Sequence, residues 1–144
     1  MKRNLAMILY MYSHSCYRRN FYMLSKLFSS LNRVLCACQI PPSAELSPTC
    51  YLLHNGLGVV IHEKAKIGNN VTICQNVTIG GGRGENRPGG SATIEDDVSI
   101  GAGAVLLGPI HIGKGAKIGA NAVVLDDVSA NITVVGMPAH AVNH

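Results

Sequence analysis

The feature that most constrains this chain is an aliphatic residue that returns at every sixth position between residues 94 and 124. Its members are Ile94, Ile100, Leu106, Ile112, Ile118 and Val124. A helix repeats about every 3.6 residues and a half-buried strand every two, so neither keeps this phase over so long a stretch. A strict hexad is typical of a solenoid, in which each short strand turns a corner and three strands complete one coil. The pattern therefore predicts a parallel β-helix with the aliphatic side chains stacked inside.

The hexad is interrupted twice, and the interruptions divide the chain. The phase already holds at Ile40, Leu46 and Leu52, and it is lost in LHNGLGVV at residues 53–60. It then resumes until GGGRGENRPGGSAT, residues 80–93, which contain no Ile, Leu or Val and which we expect to leave the coil as a loop. Long loops in compact domains are usually functional. We therefore predict an all-β domain over 40–144 with an excursion at 80–93, preceded by an N-terminal helical cap over 1–39.

The N-terminal segment has an amphipathic pattern of its own. Residues 18–38 predict a helix whose apolar stripe consists of Leu24, Leu27, Phe28, Leu31, Leu35 and Cys38. We expect this stripe to pack on the open end of the solenoid or on a neighbouring subunit, since a solenoid end needs a cap. The alternative is weak contact with a membrane surface, because residues 1–39 hold six Lys and Arg and no acidic residue. The apolar run at 5–12 is too short to span a bilayer.

Charge and cysteine usage exclude several classes of function. The basic character is confined to the N-terminal segment and no nucleic-acid-binding motif accompanies it, so we expect no nucleic-acid partner. The five cysteines are odd in number and form no CxxC pair. Reduced thiols in a cytoplasmic protein are therefore expected, rather than disulfides or a zinc knuckle.

Several motifs in this order resemble one known family. They are HNGLGVVIHEKAKIG, NVTICQNVTIGG, the Gly-rich loop, VSIGAGAVLLGPIHIGKGAKIGANAVV and VVGMPAHAV. From about residue 40 to 142 the chain resembles the left-handed β-helix hexapeptide acyltransferases, and among them the serine O-acetyltransferases. The resemblance implies a left-handed coil, a homotrimer with active sites between adjacent columns, and acetylation of the serine hydroxyl in cysteine biosynthesis. Acetyl-CoA would be the co-substrate, and no tightly bound cofactor is implied.

His54, in the first interruption, is the predicted general base. Acyl transfer to a hydroxyl requires that the hydroxyl lose its proton, and imidazole, with a reference pKa of about 6.5, can accept it near neutrality. His62 could line the same cleft. Glu63 is the first candidate to orient the second nitrogen of His54, with Glu45 or a backbone carbonyl as alternatives. We further expect Asn55 and Arg87 to contact the acceptor.

The resemblance also indicates where acetyl-CoA would bind. It points to Ala102 and Ala120 at small corners on successive coils, with Lys117 near a CoA phosphate. A backbone N–H near Gly80 and Gly81 would hold the oxyanion. The Gly-rich loop is not a P-loop, since no Lys-Ser or Lys-Thr follows it; we expect it to act as a lid over the thioester.

Two departures from the family leave the acceptor open. Leu53 stands where members acting on serine carry Asp, and Arg87 stands where they carry His before the proline. A sugar or capsule-polysaccharide hydroxyl is therefore an alternative acceptor, and a non-catalytic scaffold is a second alternative. A zinc hydratase is the third, but the intervals of 8 and 49 residues separating His54, His62 and His111 match its ligand pattern poorly. No metal site is predicted.

Overall fold

The computed structural model describes residues 4–82 and 89–142. Two helices, α1 (Leu5–Arg18) and α2 (Tyr22–Cys36), come first, and strands of two or three residues follow. The strands are β1 (Glu45–Leu46), β2 (Tyr51–Leu52), β3 (Val60–Ile61), β4 (Lys66–Ile67), β5 (Thr72–Ile73), β6 (Thr78–Gly80), β7 (Thr93–Ile94), β8 (Ser99–Ile100), β9 (Val105–Leu107), β10 (His111–Ile112), β11 (Lys117–Ile118), β12 (Val123–Val124), β13 (Thr133–Val135) and β14 (His140–Val142).

Successive strands pass in turn to three different sheets. The first sheet has the order β1-β4-β7-β10, the second β14-β13-β11-β8-β5-β2 and the third β12-β9-β6-β3. Pairing is parallel from β1 through β13, and only β14 runs antiparallel, against β13. Three strands therefore complete one turn of a three-sided parallel coil, and each turn adds one strand to every sheet.

The strand register confirms the hexad and locates its interruptions. Ile94 pairs with Ile112, 18 residues further on, which is one coil of three hexads. Leu46 pairs with Ile67, an offset of 21, because the turn after β2 is longer than a regular corner. Ile67 pairs with Ile94, an offset of 27, because the excursion follows β6. Both predicted interruptions therefore leave the coil at corners and do not break the sheets.

Each of the three sides of the column contributes two stacks of buried side chains to its interior. The hexad aliphatics are buried, and Ile73, Ile79, Leu106 and Ile112 have no exposed surface. A second buried residue lies two positions before each of them and is usually Ala or Val, as in Ala104, Ala116 and Ala122, although Cys38, Cys50 and Ile110 occupy this position in three places. The sequence pattern indicated the first stack only. Small inward residues are needed near the corners because the chain turns there and the space inside is narrow.

The corner between the first and second sheets carries a ladder of polar side chains. The backbone N–H of Asn69 donates to Asp96 Oδ1 at 2.6 Å, and the Asn69 side-chain amide donates to the same oxygen at 3.1 Å. These bonds favour the ionised form and hold the pKa of Asp96 below its ordinary value. Asn70 and Asp97, one coil apart, both adopt the left-handed conformation that the corner requires, which these two residue types tolerate.

Helix α1 closes the N-terminal end of the column. The hydroxyl of Tyr10 donates to the Ala44 carbonyl at 2.7 Å and accepts from the Leu46 backbone N–H at 3.1 Å. Burial raises the pKa of Tyr10 to about 12. His14 Nδ1 lies 2.7 Å from the Pro42 carbonyl oxygen and forms a second link to the same segment. The cap is therefore fixed to the coil by polar bonds as well as by apolar contact.

The structure corrects the prediction for the N-terminal segment in two respects. The single helix predicted over 18–38 is α2 alone, and the run at 5–12 belongs to a second helix, α1. Helix α2 also packs through its polar face: Ser25 and Ser13 exchange hydrogen bonds with each other's carbonyls, and Asn32 donates to the Ala6 carbonyl. The predicted apolar stripe does not pack on the solenoid within the chain, because α1 occupies that position. Its leucines are exposed, Phe28 is half-buried and Cys38 is buried.

Over the part of the chain that is described, neither α1 nor α2 combines the length and apolarity needed to cross a bilayer.

Candidate active site

Most of the predicted site residues that the structure describes lie on two of the three corners of the column. The base edge, between the second and third sheets, comprises residues 53–59, 74–77, 101–104 and 119–122. The loop edge, between the third and first sheets, comprises, among the described residues, 62–65, 81–82, 89–92, 108–110 and 125–127. The third sheet separates these two edges in one chain, so any cleft that uses both must be closed by something beyond this column.

His54 lies at the tip of the enlarged turn on the base edge. Both His54 and Asn55 have left-handed backbone conformations, with φ of 51° and 60°. The turn is held by bonds from the Leu57 N–H to the His54 carbonyl and from the Val59 N–H to the Gly56 carbonyl. The His54 side chain is exposed. This geometry directs an imidazole away from the coil, as the prediction of a general base requires.

The turn is also fixed from the N-terminal side. Asn55 Oδ1 accepts from the Ala6 backbone N–H at 3.1 Å, and its Nδ2 donates to Cys36 Sγ at 3.3 Å. The Asn55 side chain therefore connects the turn to both helices. These bonds show that Asn55 positions the turn, and its contact with the acceptor stays a prediction. Sequence reasoning missed this role, although an Asn-Gly pair beside the candidate base was its visible signal.

Gly56 follows at the point where the turn meets the cap. Its φ is +74°, and a Cβ there would lie 3.2 Å from Leu52 Cδ1 and 3.4 Å from Ala6 Cβ. A side chain at this position would thus be strained by the backbone and crowded by two buried residues. Glycine is required for the turn to lie close against α1.

Ala102 and Ala120 lie on the same edge as His54, in the third and fourth coils of the column, whereas His54 is in the first. Ala102 is half-buried and Ala120 exposed. The coils are tightly stacked here: the Asn121 N–H donates to the Ala102 carbonyl at 2.8 Å, and a Cβ on Gly101 would lie 2.6 Å from Ala120 N. The edge is consequently a narrow strip of backbone with few side chains. Lys117 is exposed on the second sheet, three residues before Ala120.

The loop edge holds His62 beside the root of the excursion. His62 Nδ1 accepts from the Lys64 backbone N–H at 3.1 Å. In the neutral ring the hydrogen then resides on Nε2, which can donate but not accept. A Cβ on Gly81 would lie 2.7 Å from this Nε2, so the ring rests against the glycine. His62 is therefore placed as a hydrogen-bond donor toward the loop.

The base of the excursion is narrow and is held mainly by backbone groups. The Gly82 N–H donates to the Gly90 carbonyl at 3.0 Å, and Ser91 Oγ donates to the Gly80 carbonyl at 3.3 Å. Glu63, next to His62, is exposed on the loop edge, whereas His54 is on the base edge; the described contacts do not bring the two together within one chain. Arg87, predicted to contact the acceptor, lies outside the described residues.

Within residues 4–82 and 89–142, no three His, Cys, Asp or Glu side chains are grouped so that they could hold a metal ion. His111 instead places Nε2 3.0 Å from Glu95 Oε1 on the surface of the first sheet.

Comparison with known proteins identifies the family. Residues 91–126 match the model "Bacterial transferase hexapeptide (six repeats)". The serine acetyltransferase of Bacillus subtilis is 45% identical over 130 residues, which are 90% of this chain and 59% of the relative. That of Helicobacter pylori is 39% identical over 140 residues, which are 95% of this chain and 79% of the relative. The chain thus spans little more than half of the first relative and most of the second.

Solved structures give the same result. A soybean serine acetyltransferase complexed with serine is 41% identical with a TM-score of 0.86, and the match covers 96% of this chain and 56% of that one. A serine acetyltransferase in complex with CoA is 35% identical, also with a TM-score of 0.86, and the match covers 95% and 56% of the two chains. Matches of this length cover all but about 5% of the chain, and so most of the helical cap and of the coil. This chain therefore belongs to the serine acetyltransferase family.

Proposed function

We propose that the protein transfers the acetyl group of acetyl-CoA to the hydroxyl of L-serine. The observation that carries the proposal is the His54 turn, which presents an exposed imidazole on the same edge as Ala102 and Ala120. The relatives named serine acetyltransferase, and their complexes with serine and with CoA, support the choice of acceptor and donor. Acetyl-CoA acts here as a co-substrate, with no cofactor held between turnovers.

In this proposal each residue of the chain has a defined task. His54 accepts the proton of the serine hydroxyl as its oxygen attacks the thioester carbonyl. The tetrahedral oxyanion receives a backbone N–H near Gly80 and Gly81, and CoA departs as the thiol. His62 donates from Nε2 toward the same loop. The narrow backbone strip at Ala102 and Ala120 faces the pantetheine arm, and Lys117 lies toward a phosphate of CoA.

The proposal includes a homotrimer of left-handed coils. One column alone keeps the base edge and the loop edge on opposite sides of the third sheet, and an adjacent column would bring a second copy of each edge within reach. The resemblance of the hexad motifs to left-handed hexapeptide acyltransferases supports the handedness. Sedimentation equilibrium should give the mass of three chains, and a monomer that turns over acetyl-CoA would refute the shared cleft.

We also propose that the chain has two parts, a helical cap over 1–39 and the β-helix over 40–144 with its excursion at 80–93. The end of α2 at Cys36 and the first buried hexad residue, Ile40, support this boundary. We place the protein in the cytoplasm, because all five of its cysteines are free thiols.

The test is release of CoA, measured by thiol titration with L-serine as acceptor. His54→Ala should lower kcat at least about a hundredfold, as expected for loss of a general base. His111→Ala is the matched control, since the side chain of this exposed histidine contacts Glu95 on the first sheet and has no task in the proposed reaction, and it should retain wild-type kcat. Equal activity of His54→Ala and wild type would refute the assigned chemistry. No turnover with any hydroxyl acceptor would favour a scaffold.

One observation favours a second acceptor, a sugar or polysaccharide hydroxyl. Leu53, half-buried directly before His54, offers no charge to bind the ammonium group of an amino acid. The discriminating assay compares kcat/KM for L-serine with that for a panel of mono- and oligosaccharides. Leu53→Asp should improve kcat/KM for serine if serine is the acceptor. A saccharide preferred by the wild type over serine would transfer the assignment to a glycan.

A further inference from the structure

Helix α2, the outer helix of the cap, packs with polar side chains inward and apolar side chains outward. Helix α2 buries Ser25, Asn32 and Cys36 against the rest of the chain. It exposes its large apolar side chains instead, with Met23 89% and Val34 80% exposed. Its exposed apolar residues are Met23, Leu24, Leu27, Leu31, Val34 and Leu35. At 100° per residue these positions span an arc of about 120°, so the face is broad and continuous.

Helix α1 extends this face. Its own exposed apolar row is Leu5, Ile8 and Tyr12. The ring of Tyr12 stacks on Phe28 of α2 with centroids 5.5 Å apart, so the two rows are neighbours. At the turn between the helices, Tyr17 and Tyr22 contact edge to face at 5.7 Å, and Phe21 is exposed beside them. A patch of this size on a folded chain normally marks an interaction surface.

The charges around the patch indicate what it contacts. Lys26 and Arg33 project from the side of α2 next to the apolar arc, and Arg18 and Arg19 lie at the turn; all four are exposed. The segment from Asn4 to Ala44 contains no acidic residue. A second copy docking face to face would therefore bring basic residues against basic residues. A negatively charged surface complements them, and long basic side chains can extend from an apolar face to such a surface.

From this combination we propose that the cap binds the surface of an anionic lipid bilayer. The helix pair lies in the interface with the patch defined above toward the acyl region, tyrosines at headgroup depth and the basic residues on lipid phosphates. This inference does not depend on the acetyl-transfer proposal, because it uses no residue of the base edge or the loop edge.

The experiment is co-sedimentation of the full chain with vesicles. Vesicles of phosphatidylcholine with about 30% phosphatidylglycerol should bind the protein, whereas pure phosphatidylcholine should bind it at least about tenfold more weakly, since four basic side chains contribute. The double variant Met23→Glu with Val34→Glu should lose at least about tenfold in partition to the anionic vesicles. Both side chains are nearly free in the folded chain, so circular dichroism should be unchanged.

Met137→Glu is the matched control. It makes the same apolar-to-acidic change at an exposed methionine near β14, at the opposite end of the column, and it should bind vesicles as the wild type does. Absence of binding to anionic vesicles overturns the proposal, and so does binding that the double variant leaves unchanged. If sedimentation equilibrium instead shows an assembly that the double variant splits, without vesicle binding, the patch is an interface between copies and the lipid proposal fails.

Discussion

Gly56→Ala tests whether the turn that presents His54 depends on its close contact with the cap. A single methyl group is added at a residue whose φ is +74°. The new Cβ would meet Leu52 Cδ1 at 3.2 Å and Ala6 Cβ at 3.4 Å, and both residues are completely buried. The chain cannot relieve these contacts by moving a side chain into solvent.

The expected cost follows from two contributions. A left-handed conformation at a residue with a Cβ costs about 1–2 kcal/mol. Crowding of a closed site by one methyl group adds about 1 kcal/mol or more. We therefore expect Gly56→Ala to lower the free energy of unfolding by about 2–3 kcal/mol. Since Asn55 and His54 precede Gly56 directly, relaxation of the turn should also displace the imidazole, so kcat for CoA release should fall as well.

The assay is urea unfolding followed by circular dichroism, at one fixed protein concentration because an oligomer's stability depends on it. Gly89→Ala is the matched control: a Cβ there meets nothing within 4 Å, so its stability should stay within about 0.5 kcal/mol of wild type. A Gly56→Ala protein as stable as the Gly89→Ala protein would refute the packing argument. A destabilised protein with wild-type kcat would separate the turn from the chemistry.

Three further predictions concern buried groups and the loop edge. Stability should fall as pH rises from 10 to 12, and Tyr10 should contribute on the order of 2–3 kcal/mol to this fall, because its raised pKa favours the neutral form in the folded state. Tyr10→Phe should remove only this contribution, since the buried thiols of Cys38 and Cys50 also have a raised pKa, and it should cost about 1–3 kcal/mol at neutral pH. Thiol titration with an aromatic disulfide should show two thiols that react in the folded protein and three that react only after unfolding. The three slow thiols are those of Cys36, Cys38 and Cys50, because burial raises their pKa. Rapid reaction of all five thiols in the folded protein would contradict this. Gly81→Ala should lower kcat about tenfold or more with little loss of stability, because its Cβ would displace the His62 ring, and unchanged kcat would exclude His62 from the reaction.

The column itself could be predicted from the sequence because its signal is repeated. Each hexad aliphatic from Ile40 to Val124 is buried, and both interruptions become corner insertions, since one residue type at a fixed period can occupy only one place in a coil. The position of His54 in a turn followed from the same loss of phase. Its left-handed backbone did not, because φ at a non-glycine residue depends on how the turn meets α1.

The cap was harder to predict for a physical reason. Periodicity shows that a helix has two faces, but not which face the rest of the chain covers. In α2 the hydrogen bonds of Ser25 and Asn32 to α1 determine the packing, and these partners are distant in sequence. The role of Asn55 was missed for the same reason, as its partners Ala6 and Cys36 are not its sequence neighbours.

The parallel pairing of the sheets determines distances along the base edge. Neighbouring coils are one strand spacing apart, about 4.8 Å, so His54 and Ala120 are separated by three such steps, roughly 14 Å along the column axis. Removing or duplicating a complete coil of 18 residues would preserve every sheet and both buried stacks, yet it would shorten or lengthen this interval by one step. If acetyl-CoA binds along the base edge as proposed, the length of donor that reaches from Ala120 to the imidazole of His54 is set in whole coils. A change in coil number would then alter which acyl carrier fits without altering any residue that touches it.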